Sequence, residues 1–189
     1  PPEFEGHWDP HVWGNPSLWS KCVETVVEGL SEADPAGKNY YINHGAKVEK
    51  AYKRVHNWGR KRIAELPKKQ RILVTSHDAF NYFGKAFEFQ VVAVQGLSTV
   101  TEAGLADIAK MVDFIKEKNL KAIFVESSVN PAAIQRISKD ANVKIGGELF
   151  SDACGKPGDI HMNQGEEYDV GTFVGMVKHN INTIVEALK

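Results

Sequence analysis

Leu18, Trp19, Cys22, Val23, Val26, Val27 and Leu30 recur at spacings of three and four, which is the stripe of an amphipathic helix. Asn15-Pro16 supplies its start, with proline in the first turn, and Asp34-Pro35-Ala36-Gly37 ends it. Residues 1–15, rich in Trp, His, Pro and Gly, read as an extended loop. A second stripe follows: Val48, Ala51, Tyr52, Val55, Gly59, Ile63 and Leu66 hold one face, Lys and Arg crowd the other, and Pro67 stops it. Continuous from Ala36 to Leu66, this helix is about 45 Å long at roughly 1.5 Å per residue. A helix that long spans between two lobes. Gly45 is the candidate point of interruption.

After Pro67 the period changes. Short apolar runs at 71–75, 89–94 and 122–126, and a weaker one at 143–147, read as strands. Helical stretches at about 79–86, 102–118 and 131–140 separate them, and a last helix covers about 170–188. Leu105, Ile108, Val112 and Ile115 form the inward stripe of the middle one; Val174, Val177, Ile181, Ile184 and Leu188 form that of the last. Strands alternating with helices predict an α/β fold with a parallel sheet flanked by helices on both faces. There is no internal repeat and no low-complexity segment.

In such sheets functional side chains sit just past the carboxyl ends of the strands. The rule points to Ser76-His77-Asp78, Gly96-Leu97-Ser98, Glu126-Ser127-Ser128 and the stretch from Leu149 to Gly155. Composition narrows what these residues do. With 23 Lys+Arg against 24 Asp+Glu the net charge is -1, which excludes a bulk basic footprint for nucleic acid. No apolar run approaches the roughly 18 residues that a membrane span needs. Two cysteines, Cys22 and Cys154, make no disulfide framework; pairing between them is left open. Glycine-rich phosphate loops, H-E-x-x-H, C-x-x-C and G-x-S-x-G are all missing, which disfavours nucleotide, metalloprotease and serine-hydrolase chemistry. The chain starts at Pro1-Pro2-Glu3-Phe4, with neither Met nor a signal peptide, so a processed N-terminus or a piece of a longer chain is expected.

His77 follows an apolar strand and precedes a helix. Either its neighbours Ser76 and Asp78 cap that helix, or the imidazole is a ligand for zinc, manganese or iron. His11 lies in a stiff aromatic loop, Asp9-Pro10-His11-Val12-Trp13, which favours a held ligand over a solvated His. Asp152 sits past the last strand, as a loop cap or as a carboxylate on the same rim as His77. Cys154, two residues on, reads as a small buried residue rather than a soft ligand. Glu126 ends a buried strand and needs a partner; it either packs at a helix N-terminus or orients a ligand His. His7 has no ligand spacing to His11, and His44, His56 and His179 lie within helical patterns. His161, in Gly158-Asp159-Ile160-His161-Met162-Asn163, reads as a residue of a Gly-flanked mobile loop, solvent-facing rather than one that samples metal.

Together these segments resemble a known family. Asp9-Pro10-His11-Val12-Trp13 with Asn15-Pro16 is similar to the D-P-H-x-W segment of the zinc/manganese-binding solute-binding proteins of ABC transporters, the TroA-like, cluster A-I metal-binding lipoproteins. Val74 to Phe83, Phe124 to Ser128, Gly147 to Ala153 and Gly171 to Val177 resemble four further blocks, and the resemblance covers essentially the whole chain. It implies two α/β lobes joined by one long helix, with the metal between them. Residues 1–35 are then a remnant of the N-terminal lobe, 36–67 the connecting helix and 68–189 the C-terminal lobe. It implies high-affinity binding of Zn2+, or alternatively Mn2+, for delivery to a membrane permease, outside the cytoplasm and membrane-tethered if a lipoprotein, without enzymatic activity. Of the family's four ligands, His11, His77 and Asp152 match three; the first, a His, belongs to a segment upstream of Pro1. Several manganese-selective members carry Glu where this chain has His77, which leans toward zinc. Glu126 is implied to line the pocket or support a ligand.

Two other readings stay beside this one. A metallohydrolase could use His11, His77 and Asp152 with a bound water and Glu126 as general base. An adhesin-like surface protein could use Trp8, Trp13 and Trp19. An apolar surface exposed by a missing lobe would favour a homodimer.

Overall fold

The structure is a computed structural model that describes residues 8–96 and 104–189. His7, Leu97 and Ser98, singled out in the sequence, lie outside the described residues. Strands β1 (Ile72–Thr75) and β2 (Gln90–Ala93) pair in parallel, as do β3 (Ala122–Glu126) and β4 (Lys144–Leu149). The two pairs lie side by side along β1 and β3, as two parallel ribbons rather than one continuous ladder. Helix α4 (Asn81–Phe87) connects β1 to β2, α5 (Leu105–Lys118) precedes β3, and α6 (Ala132–Ala141) connects β3 to β4. Asn119 and Asn142 end α5 and α6 in the left-handed conformation that asparagine tolerates, at φ 50° and 54°.

The period-2 alternation of the strands divides the core. Leu73, Ala122 and Phe124 face one way, into a cluster with Val55 and Ile63, Phe83 and Phe87 of α4, and Ile181 and Ile184 of the last helix. Val74 and Ile123 face the other way, onto Met111, Val112 and Ile115 of α5 and Ile134 and Ile137 of α6. All of these are buried. Helices therefore cover both faces, as parallel strands require. Leu105, expected inward, lies in the first turn of α5 and is exposed.

The N-terminal part is helical. A one-turn helix α1 (Pro16–Trp19) is capped by Asn15, whose Oδ1 accepts from the amides of Ser17 and Leu18. Helix α2 (Cys22–Ala33) packs along α3 (Lys38–Ile63). α3 runs unbroken through Gly45, which is buried because Val27 and Val23 press against it; a Cβ there would lie 2.4 Å from Val27 Cγ2. The expected interruption is thus a helix–helix contact. The C-terminal half of α3 packs on α7 (Phe173–Leu188), which starts at its cap Thr172 rather than near residue 170. Arg62, on the basic face of α3, is 5% exposed: it pairs with Glu65 and Glu186, and its Nε donates to Asn182 Oδ1 at 3.0 Å. The stripe of α2 is less covered, with Val26 and Leu30 exposed. Both cysteines are free.

Two features depart from the sequence reading. Residues 158–163 are not a loop: β5 (Ile160–Asn163) and β6 (Glu166–Asp169) form an antiparallel hairpin. Gln164 and Gly165, both at positive φ (51° and 80°), make its two-residue turn. Its outward Ile160 and Met162 are exposed, so no apolar face announced it in the sequence. In β4, pairing steps from Ile123↔Ile145 to Val125↔Glu148, so β4 carries one extra residue, a bulge at Gly146-Gly147. Gly147 sits at φ +147°, and a Cβ there would stand 2.5 Å from Thr183 Cγ2 of α7. The bulge sets the aim of the strand end that leads to Asp152. Gly147→Val should destabilise the fold by about 1–3 kcal/mol through backbone strain and this clash, read as a lower urea midpoint at unchanged slope.

Candidate metal centre

Three loops meet at the carboxyl ends of the strands. His77 lies two residues beyond β1, Glu126 is the last residue of β3, and Asp152 lies three residues beyond β4. His11 arrives from the N-terminal loop and opens a short turn, Val12–Gly14. Trp13 fastens that turn to the rim: its Nε1 donates to the Ser151 carbonyl at 2.7 Å. The expected exposed tryptophan patch is therefore absent as a unit. Trp8 is exposed, but Trp13 is half-buried and packs edge-on against Trp19.

His11, His77 and Asp152 each present a ligand atom, all within 4.8 Å of one another. His11 Nε2 is 3.5 Å from Asp152 Oδ1, and His77 Nε2 is 3.5 Å from Asp152 Oδ2. The two rings are 5.5 Å apart and nearly perpendicular. Both imidazoles are buried, and no well-directed hydrogen bond satisfies either ring nitrogen of His77: Nδ1 lies against Glu126 and Nε2 against Asp152. A buried polar nitrogen without a good partner costs free energy.

Behind each imidazole stands a carboxylate. His11 Nδ1 is 2.8 Å from Asp9 Oδ1, which also accepts the His11 amide at 2.9 Å. His77 Nδ1 is 2.6 Å from Glu126 Oε2, while Glu126 Oε1 accepts the His77 amide at 2.9 Å. Carboxylates only accept, so the Nδ1 atoms carry hydrogen; when the rings are neutral their Nε2 lone pairs face the cluster. Asp152 is oriented by Ser128, whose Oγ donates to Oδ2 at 2.8 Å. Asn81 Nδ2 donates to Asp78 Oδ1 at 2.8 Å and to Asp9 Oδ2 at 3.4 Å, tying the first loop to the second.

The charges shift one another. Burial pushes His77 down, but the Asp152 and Glu126 carboxylates outweigh it and raise the imidazole to about 9. Burial also opposes the rise of His11, which Asp152 and Asp9 produce. His11 and His77, with Ser128, hold the Asp152 carboxyl well below the usual carboxylate range. The three carboxylates thus favour positive charge on the two imidazoles.

All four residues singled out for this rim are thus brought together. Asp9 and Ser128 complete the arrangement; the sequence had quoted both only inside motifs. The signal for Asp9 was its place two residues before His11 in a proline-stiffened turn. Cys154 is exposed rather than buried, outside the cluster, with Sγ 3.9 Å from Met176 Sδ. His44 stacks on Tyr40, and His56 packs against Phe87. His161 is not solvated in a loop but sits on β5 against His179.

Comparison with known proteins matches the family model described as zinc-uptake complex component A, periplasmic, over residues 2–187. The manganese-binding lipoprotein MntA of Bacillus subtilis is 41% identical across the whole chain, and the zinc-binding protein TroA of Treponema pallidum is 38% identical over 97% of it. The chain spans 60% and 58% of those relatives' own lengths. The solved structure of the periplasmic zinc-binding protein TroA from Treponema pallidum superposes with a TM-score of 0.89, covering 97% of this chain and 65% of that one. The sequence blocks, the fold and the match along nearly all of the chain agree: it belongs to the zinc-uptake complex component A family.

Proposed function

We propose that this chain binds one divalent transition metal ion, zinc or alternatively manganese, through His11, His77 and Asp152, as cargo for the membrane permease of an ABC transporter. The observation that carries the reading is the convergence of His11, His77 and Asp152, whose ligand atoms lie within 4.8 Å of one another with both imidazoles buried. Two imidazoles and a carboxylate suit zinc, and manganese takes the same donors less tightly. The relatives named as zinc- or manganese-binding support both metals. Their lipoprotein and periplasmic descriptions support a place outside the cytoplasm. In this reading residues 1–35 end a first lobe, 36–67 connect, and 68–189 form the second lobe, with the 26-residue α3 as connector. A homodimer would use the exposed apolar side of α2, with Val26 and Leu30.

Binding rather than catalysis is supported by the position of Glu126. A general base needs a free oxygen facing a bound water. Both Glu126 oxygens are instead turned to His77, and the carboxylate is 2% exposed.

His77→Ala or Asp152→Ala should weaken zinc at least ~10-fold in calorimetric titration of the metal-stripped chain; unchanged affinity in both rejects the site. Glu126→Gln should cost ~10–100-fold with the fold intact. Its amide oxygen still accepts the His77 amide, but its NH2 donates to Nδ1 and moves the ring hydrogen to Nε2, where the metal binds. The pH dependence has opposite signs with and without metal. His77 is raised in the fold, so its stabilising contribution is present below its unfolded value and lost as pH rises through about 9. The metal must displace that proton, so zinc affinity rises with pH over the same window. Melting curves from pH 6.5 upward should fall for the stripped chain, and the added stabilisation by zinc should grow.

A further inference from the structure

A second pair of imidazoles meets where the hairpin touches the last helix. His161 on β5 and His179 on α7 place their Nδ1 atoms 3.2 Å apart. Their other nitrogens fix the hydrogens. His179 Nε2 lies 2.9 Å from the Glu148 carbonyl oxygen, which can only accept, so Nε2 carries hydrogen and Nδ1 of the neutral ring is a bare lone pair. His161 Nε2 faces Asp159 Oδ2 at 3.5 Å, which favours hydrogen on that nitrogen as well. Neutral His161 then also presents a bare Nδ1. Without an ion, hydrogen on His161 Nδ1 would instead donate to His179 Nδ1; with hydrogen on Nε2, toward Asp159, the two bare Nδ1 atoms leave room for one electropositive centre between them.

The geometry suits a metal ion. Two imidazole nitrogens bound at 2.0–2.1 Å to one tetrahedral zinc stand about 3.3 Å apart. The ring centroids are 5.1 Å apart at an interplanar angle of 68°. That is shorter than a collinear N–H···N pair would give, so the nitrogen axes are bent, as sharing one ion requires. The distal nitrogen of His179 has the Glu148 carbonyl as its acceptor, and that of His161 faces the Asp159 carboxylate at a longer 3.5 Å. Burial and the neighbouring His161 push His179 below its ordinary value, which keeps its Nδ1 free of a proton. The hairpin is already held on α7 by Lys178 paired with Glu166 and by Asn182 Nδ2 donating to Tyr168 at 3.4 Å. The His161 side chain is 36% exposed, so an ion reaches it from solvent.

We propose that His161 and His179 form an auxiliary transition-metal site, separate from His11, His77 and Asp152 and weaker than it. Two neutral imidazoles select zinc, copper or nickel and disfavour manganese, which prefers oxygen donors. With only two protein donors and water for the rest, the site binds zinc at least ~10-fold more weakly than the three-residue cluster.

The test is calorimetric titration of the whole metal-stripped chain with zinc alone and with manganese alone. Zinc is expected to show two steps and manganese one. His161→Ala and His179→Gln are each expected to abolish the second zinc step and leave the first unchanged; the glutamine retains an N–H for Glu148. Nitrogen-15 imidazole spectra follow the event by residue: both Nδ1 signals shift on zinc while both Nε2 keep their hydrogens. A second step that survives in both variants overturns the proposal, as does a single zinc step in the folded native chain. Loss of the first step alone would count against the three-residue site and leave the auxiliary pair standing.

Discussion

The carboxylate of Glu126 is the contact on which the site and the sheet both depend. Burying such a charge costs several kcal/mol unless its oxygens are satisfied. One oxygen accepts the His77 amide at 2.9 Å and the other lies 2.6 Å from His77 Nδ1. Glu126 ends β3 and His77 follows β1, the two strands that lie side by side without a hydrogen-bonded ladder. A single side chain therefore bridges the two ribbons at their carboxyl ends and sets which nitrogen of His77 is bare. Removing it would leave a buried imidazole unsupported and the gap between β1 and β3 unbridged.

From that anchor the rest of the centre is built by chain connectivity. His77 is fixed by the core. Asp152 is aimed by the bulge at Gly147 and fastened by Ser128. His11 comes from a segment with no strand of its own, so it needs external ties: Asp9 beneath its ring, Asn81 reaching to Asp9, and Trp13 reaching to Ser151. The last tie couples the loop of His11 to that of Asp152. These side chains are thus held close together, which crowds two imidazoles and three carboxylates. The raised imidazoles and the depressed Asp152 express that crowding: the cluster recruits protons where it lacks another cation.

Much of this was legible in the residues. The βαβ alternation, the clean stripes of α5 and α7, and the rule that strand ends carry function led to His77, Glu126 and Asp152. The aromatic, proline-stiffened turn led to His11. What stayed hidden were features without a periodic apolar signal. The β5–β6 hairpin is almost wholly polar, its apolar Ile160 and Met162 point outward, and its turn is Gln-Gly rather than the more telling Asn-Gly. The bulge left no mark beyond two adjacent glycines. Gly45 looked like a break because glycine is a poor helix former, while its role is to let Val27 approach α3. Asp9 and Ser128 act by distance, and distance appears only after folding.

The three donors differ in how firmly the fold holds them, and the order bears on release. His77 is wholly buried, and its carboxylate partner belongs to a core strand. His11 is buried as well, but on a turn secured by side-chain contacts. Asp152 is the outer donor: its side chain is 32% exposed, on a loop held by one serine hydroxyl and one tryptophan indole. Of the three side chains, the one that can move at least cost is the one on the exposed loop. Asp152 is also what raises both imidazoles, so its withdrawal lowers their affinity for any cation, proton or metal alike. The imidazole end of the cluster is thus its buried, fixed end, and the Asp152 carboxylate its exposed one.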